Sequence, residues 1–169
     1  MDLIQRFSKV LAANGVTLAV TFVPLKMRVY SEYLPDTIKV NEYMAGNYAR
    51  MGKVLTASQV NFVDMNSAFL SSPKRISDTP LFFKLDTHWA PAGSLLGAEA
   101  IKAGIDSDPL LKKVFDSTPE ESFKMALSKR KVNSKARDLV EQLPKDSPAF
   151  ATEQNTPFSV SRAQPPKED

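Results

Sequence analysis

The feature that most constrains this chain is the segment Gly15-Val-Thr-Leu-Ala-Val-Thr-Phe-Val-Pro24. Between the glycine and the proline every residue is apolar or β-branched, so neither side of a pleated strand is charged. Such a strand calls for cover on both faces, as in parallel sheets with helices packed above and below. What precedes it fits. Leu3, Ile4, Phe7, Val10 and Leu11 fall at helical spacing among Asp2, Gln5, Arg6, Ser8 and Lys9, and Gly15 stands where a helix C-cap belongs. Helix, glycine and buried strand in that order indicate an α/β fold. The same opening residues are too polar for the apolar region of a signal peptide. No stretch approaches the roughly 20 apolar residues of a membrane span.

Further along, Tyr43, Met44, Tyr48, Met51 and Leu55 form the stripe of a helix over Asn41–Ala57, with Asn41 as its N-cap. Val60, Phe62 and Val63 mark a second strand in Gln59–Met65, followed by a short helical turn at Asn66–Leu70 and a loop over Ser71–Pro80. Leu81-Phe-Phe-Lys-Leu85 is a short apolar run leading into Asp86. Pro91 and Gly93 open a helix that Gly104 is expected to close. Asp108–Phe115 and Pro119–Leu127 can be written as helices, and Ala136–Leu143 is read as another. Residues 144–169 hold five prolines and are expected to be irregular and flexible. With 169 residues, 43% of them hydrophobic, the chain suits one domain with a real core. The expected architecture is a three-layer α/β/α domain with a mainly parallel sheet over residues 1–143, plus the irregular tail.

Composition narrows the chemistry. There is no cysteine, hence no disulfide, thiolate ligand or cysteine nucleophile, and with His88 the one histidine a His-rich metal site is excluded. Neither a metal nor a cofactor is expected. The net charge of +3, from 22 basic and 19 acidic residues, suits an anionic polymer without demanding nucleic acid. The cluster Lys124, Lys129, Arg130, Lys131, Lys135 and Arg137 lacks interleaved aromatics and reads as a solvated face, so no nucleic-acid partner is expected.

One constellation stands above this background: Phe83-Lys-Leu-Asp-Thr-His-Trp-Ala-Pro-Ala-Gly93. An imidazole titrates near neutral pH and can serve as a general base. A carboxylate on one ring nitrogen fixes the tautomer and stabilises the imidazolium that forms. Asp86 and His88, placed after a short apolar run and before a helix, would sit at the carboxyl edge of the sheet, where α/β sites lie. Taken alone, a His beside an Asp is more often a surface pair than a catalytic one. Trp89 could equally be a core aromatic.

Asp86-Thr-His-Trp89 with Pro91-x-Gly93 and an alanine-rich helix resembles the Asp-x-His-Trp motif of the alginate O-acetyltransferase AlgJ/AlgX family, a branch of the SGNH hydrolases. The stretch from Gly15 through Pro24-Leu-Lys26, Tyr30 and Leu34-Pro35 is similar to the glycine, strand, Pro-x-Lys, Tyr and Leu-Pro order of the same family. The resemblance covers roughly residues 1–104, and more weakly 132–153. It implies a flavodoxin-like SGNH fold and a Ser–His–Asp triad that moves an acetyl group onto polysaccharide hydroxyls. His88 would be the base and Asp86 its orienting partner. Lys26, Tyr30 and Trp89 would stand at positions that contact substrate or support the loop.

It also implies a periplasmic protein whose partners are an exopolysaccharide and an acetyl donor such as a membrane-bound acetyl-transfer protein. The family's nucleophilic serine follows a glycine-containing turn downstream of the histidine. The last glycine here is Gly104, and Ser159 and Ser161 lack such a turn. The chain is therefore expected to be a partial copy of a longer protein, with an incomplete sheet, exposed apolar surface and little turnover by itself. Two alternatives stay open: an SGNH-type carbohydrate esterase, with water as acceptor, and a non-catalytic polysaccharide-binding relative.

Overall fold

In a computed structural model of the chain, residues 2–119, 121–134, 137–141, 143–148 and 152–163 are described. The first helix, α1 (Asp2–Ala13), ends at Gly15, whose φ of 75° lies in the left-handed region that glycine reaches without a Cβ penalty. The two expected strands follow as β1 (Ala19–Thr21) and β2 (Asn61–Val63), paired in parallel with Val20 opposite Phe62. They are shorter than the apolar runs that contain them. The ladder is as long as β2 allows, and β2 is bounded by the turn at Gln59 and by Asp64, which caps the next helix.

Between the strands lie α2 (Lys26–Val29), α3 (Glu42–Ala45) and α4 (Asn47–Ala57). The Asn41 side chain accepts from the Met44 N–H at 2.8 Å, the capping role its sequence position suggests. After β2 come α5 (Met65–Ser71) and α6 (Pro91–Ser107), the latter with Pro91 at its first position. Last of the helices is α7 (Pro109–Asp116), where the Asp108 carboxylate takes the N–H groups of Leu110 and Leu111, each at 2.9 Å.

Neighbouring residues of β2 point to opposite faces, and each face meets a glycine on a helix. A Cβ at Gly52 of α4 would lie 2.7 Å from the Phe62 ring, and one at Gly104 of α6 would lie 2.5 Å from a Val63 methyl. Helix, sheet and helix are thus layered through side chains that need a glycine opposite them. This corrects the reading of Gly104 as a stop: α6 runs three residues past it, and the glycine is kept for close approach. The core beside this layer is Val29, Tyr30, Met65, Phe69, Leu81 and Phe82, with Trp89, Leu96 and Ala100 packed against it.

The last third departs further from expectation. Pro119–Leu127 is not helical: β3 (Phe123–Leu127) pairs antiparallel with β6 (Phe158–Arg162), placing Met125 opposite Val160 and Leu127 opposite Phe158. The physical reason is period-two alternation, Phe123, Met125 and Leu127 on one side and Phe158 and Val160 on their partner. A second short pair joins β4 (Val132–Asn133) to β5 (Gln154–Asn155). Strand pairing therefore reaches into 144–169, the stretch expected to be irregular. The helix expected over Ala136–Leu143 is instead a turn at residues 138–141, while Ala136 lies outside the described residues. Exposed apolar side chains are numerous, among them Phe7, Val10, Leu127 and Val160. No helix among the described residues is long and apolar enough to cross a membrane.

Candidate active site

The segment Leu81–Ala90 leaves the core and returns to it within ten residues. Phe82 bridges to Trp89, the Ala90 N–H donates to the Leu81 carbonyl at 2.9 Å, and Phe83 N–H donates to the His88 carbonyl at 3.2 Å. Gly93 makes this return possible, because a Cβ there would come within 2.0 Å of the Leu81 carbonyl oxygen. Trp89 stacks on Phe69 with ring centroids 5.2 Å apart, which anchors the far end of the loop. The Trp89 Nε1–H is buried with no hydrogen-bond partner among the described residues.

Asp86 and His88 meet at the tip. Asp86 Oδ1 is 2.6 Å from His88 Nδ1 and accepts the His88 main-chain N–H at 2.8 Å. Asp86 is 3% exposed, whereas the His88 side chain is 77% exposed. Burial pushes the Asp86 carboxyl up, but the N–H groups of Asp138 and His88 and the imidazole outweigh it and hold the acid below its ordinary value. The hydrogen bond to Asp86, and its charge, raise the His88 imidazole above its ordinary value. With Nδ1 engaged by Asp86, Nε2 is the nitrogen free to take a proton.

Lys26 at the start of α2 and Tyr30 at its C-cap both reach this loop. The Lys26 ammonium donates to the carbonyls of Phe83, Lys84 and Asp86 at 2.7, 2.9 and 3.0 Å, which employs all three of its donors. Burial lowers its pKa against the pull of Glu153, Asp138 and Asp86. The Tyr30 hydroxyl accepts the Leu81 N–H at 3.0 Å. Burial raises the Tyr30 pKa, so the phenol stays protonated.

Two residues that the sequence did not single out complete the surroundings. The Glu153 carboxylate accepts Lys84 N–H at 2.7 and 2.8 Å through its two oxygens, and Leu85 N–H at 3.2 Å. Asp138 accepts the Thr87 N–H at 2.7 Å and also its hydroxyl, and its own N–H donates to Asp86 Oδ2 at 2.9 Å. Both lie in the stretch 132–153, where the family resemblance is weak and assigns neither residue a role. The signal that could have found them is chemical: a buried aspartate needs donors for both oxygens, and the local loop supplies only one side.

His88, Trp89, Thr87, Lys26 and Tyr30 share one cleft of about 870 Å³ whose other walls are largely apolar, including Pro24, Leu34, Phe82 and Leu139. Ser94 also lines it, with its hydroxyl turned back to the Ala90 carbonyl at 3.5 Å. Four of the residues singled out in the sequence, Lys26, Tyr30, His88 and Trp89, thus line one cleft at the carboxyl side of β1, and the fifth, Asp86, is bonded to His88 behind it.

Comparison with known proteins bears on the family and the fold. The family described as "SGNH hydrolase-like domain, acetyltransferase AlgX" matches residues 1–169. The chain belongs to this family. A curated relative, "Probable alginate O-acetylase AlgJ" of Pseudomonas fluorescens, is 26% identical over 117 residues, which cover 69% of this chain and 27% of that protein. Among solved structures, the O-acetyltransferase domain of Pseudomonas putida AlgJ superposes with a TM-score of 0.77 at 21% identity, covering 95% of this chain and 55% of that one. Pseudomonas aeruginosa AlgX gives 0.72 at 19% identity, covering 94% and 37%. The chain therefore spans about half or less of the length of these relatives. Its SGNH hydrolase-like α/β fold is shared with them.

Proposed function

We propose that this AlgX-type domain serves O-acetylation of a bacterial exopolysaccharide, alginate or a similar polymer, in the periplasm, with His88 as general base and Asp86 orienting it. The observation that carries the reading is the 2.6 Å contact of buried Asp86 with exposed His88 at the mouth of the cleft. Family membership and the alginate O-acetylase relative support the substrate class.

The chemistry would run as a double displacement. A serine hydroxyl gives its proton to His88 Nε2 as its oxygen attacks the acetyl carbonyl of the donor. The imidazolium then returns the proton to the leaving group. In the second half His88 takes the proton of a sugar hydroxyl as that oxygen attacks the acetyl-serine, and returns it to the serine. The proposal places that serine outside residues 1–169. Lys26, Tyr30 and Trp89 line the cleft where substrate would lie, and the acetyl donor would come from a partner protein.

The test uses the natural full-length protein with a chromogenic acetyl ester and uronate oligosaccharides, read by mass spectrometry. The wild type is expected to acetylate the sugar, and His88→Ala to lose on the order of 10³–10⁴-fold in kcat. Acetate release without sugar acetylation would make the protein an esterase. Undiminished transfer by His88→Ala would remove the assignment of the base.

A further inference from the structure

Asp86 has two carboxylate oxygens, and the hydrogen bonds they make come from different parts of the chain. Oδ1 is satisfied within the loop by His88, through Nδ1 at 2.6 Å and the main-chain N–H at 2.8 Å. Oδ2 accepts the main-chain N–H of Asp138 at 2.9 Å, from 52 residues away. The same Asp138 reaches back with its carboxylate to Thr87, the residue between Asp86 and His88, and takes both its N–H at 2.7 Å and its hydroxyl. The Leu139 N–H adds a bond to the Leu85 carbonyl at 3.2 Å, and Val140 is buried, so the turn itself is anchored. Asp138 Oδ2 then lies 3.6 Å from His88 Nδ1, beyond hydrogen-bond length but close enough to favour a positive ring.

We propose that Asp138 is a positioning residue of this site: it grips Thr87 and pins the far oxygen of Asp86, and so aims the near oxygen at His88 Nδ1. A carboxylate free to rotate about its Cβ–Cγ bond would present either oxygen to the ring. One held on both sides presents a single oxygen, and the imidazole is then confined to the Nδ1–H tautomer with Nε2 available as base. Among the described residues, the charged side chains that bond to the loop or act on the ring are Asp86, Asp138, Lys26 and Glu153, with Lys84 on the loop itself. Of these, Asp86 and Asp138 are the carboxylates that act on the imidazole, Asp138 through an oxygen 3.6 Å from Nδ1. The catalytic consequence rests on the acetyl-transfer reading, while the geometric claim does not.

Because His88 is the one histidine in the 169 residues, its ring can be read directly by NMR in this chain. Nitrogen chemical shifts give the tautomer, and a pH titration gives the pKa. In the wild type the Nδ1–H form is expected to dominate, with a pKa above the ordinary imidazole value. Asp138→Asn keeps an oxygen for the Thr87 N–H but removes the charge. The tautomer should therefore persist while the His88 pKa falls. Asp138→Ala loses the grip as well, so the tautomers should mix and the pKa should fall further. In the full-length enzyme Asp138→Ala should lower kcat roughly 10- to 100-fold with KM little changed, and Asp138→Asn should recover part of it.

A folded Asp138→Ala variant with wild-type tautomer and pKa overturns the proposal. If that variant does not fold, Asp138→Asn decides: an unchanged His88 pKa shows that the carboxylate does not act on the ring. Should the tautomer respond as expected while no acyl transfer is found in the wild type, positioning stands and the acetyl-transfer reading falls.

Discussion

Around β2 the chain is held by interdigitation, with Phe62 and Val63 set against Gly52 and Gly104 and with Phe69 fully buried beneath Trp89. Around β3 and β6 it is held by main-chain pairing, and Phe123, Met125, Leu127 and Val160 are each about half exposed or more. Both regions nevertheless serve one loop. The packed region fixes where the loop leaves and re-enters the core, through Leu81, Phe82, Trp89 and Gly93. The region beyond α7 supplies two carboxylates, Asp138 and Glu153, that satisfy main-chain N–H groups on the loop itself. Apolar packing is non-directional and can place a segment, but orienting a carboxylate toward a ring nitrogen takes hydrogen bonds.

The sharpest way to break this comparison is a pair of truncations measured by urea denaturation. Phe69→Ala, in the packed region, is expected to cost about 3–5 kcal/mol. Leu127→Ala, 65% exposed on β3, is expected to stay within about 0.5 kcal/mol. Comparable losses would mean that the β3–β6 face is covered in solution. Next in size, Gly93→Ala sets a methyl against the Leu81 carbonyl and should cost about 1–3 kcal/mol, because the opposing atom is backbone and cannot swing aside.

Smaller still, Glu153→Gln weakens charge-assisted bonds at a partly exposed position and should cost about 1 kcal/mol. Hydrogen exchange should show that loss at the Lys84 and Leu85 amides while β2 amides are unaffected. Faster exchange throughout the sheet would show that the two regions unfold together.

The smallest effect is the pH dependence of stability. The Asp86 carboxyl is depressed, so its contribution is complete above the ordinary carboxylate range and is lost as pH falls through its folded value. The His88 imidazole is raised, so its contribution is complete below about 6.5 and is lost as pH rises through its folded value. A shallow maximum should lie between these windows, and Asp86→Asn should flatten both sides of it. An unchanged profile in Asp86→Asn would show that the pair adds nothing to folding.

What was legible in the sequence was local. Asp86 and His88 are two residues apart, and their contact needs only the turn between an apolar run and a proline-started helix. The Asn41 cap, the Gly15 terminator and the two parallel strands are likewise read from neighbours. The reach of Lys26 to the loop spans 57–60 residues and was expected only through the family's Pro-x-Lys pattern, while that of Glu153 spans 68–69 and no pattern in its segment announces it. Phe123, Met125 and Leu127 did carry a period-two signal, but five residues are too few to separate a strand from one face of a helix without the matching alternation of Phe158 and Val160. Gly104 misled for a different reason, since a glycine kept for close approach looks in sequence like one kept for a turn.

The loop before His88 lies between two fixed charges of opposite sign. Carbonyl oxygens of Phe83, Lys84 and Asp86 converge on the Lys26 ammonium, while the N–H groups of Lys84 and Leu85 turn toward the Glu153 carboxylate. Its peptide dipoles are therefore lined up like a compass needle between two poles. Reversing any one of them would face oxygen with oxygen and hydrogen with ammonium. The direction in which the backbone arrives at Asp86 is thus written twice, once on α2 and once near β5, and neither pole can be removed without leaving the other to pull on its own.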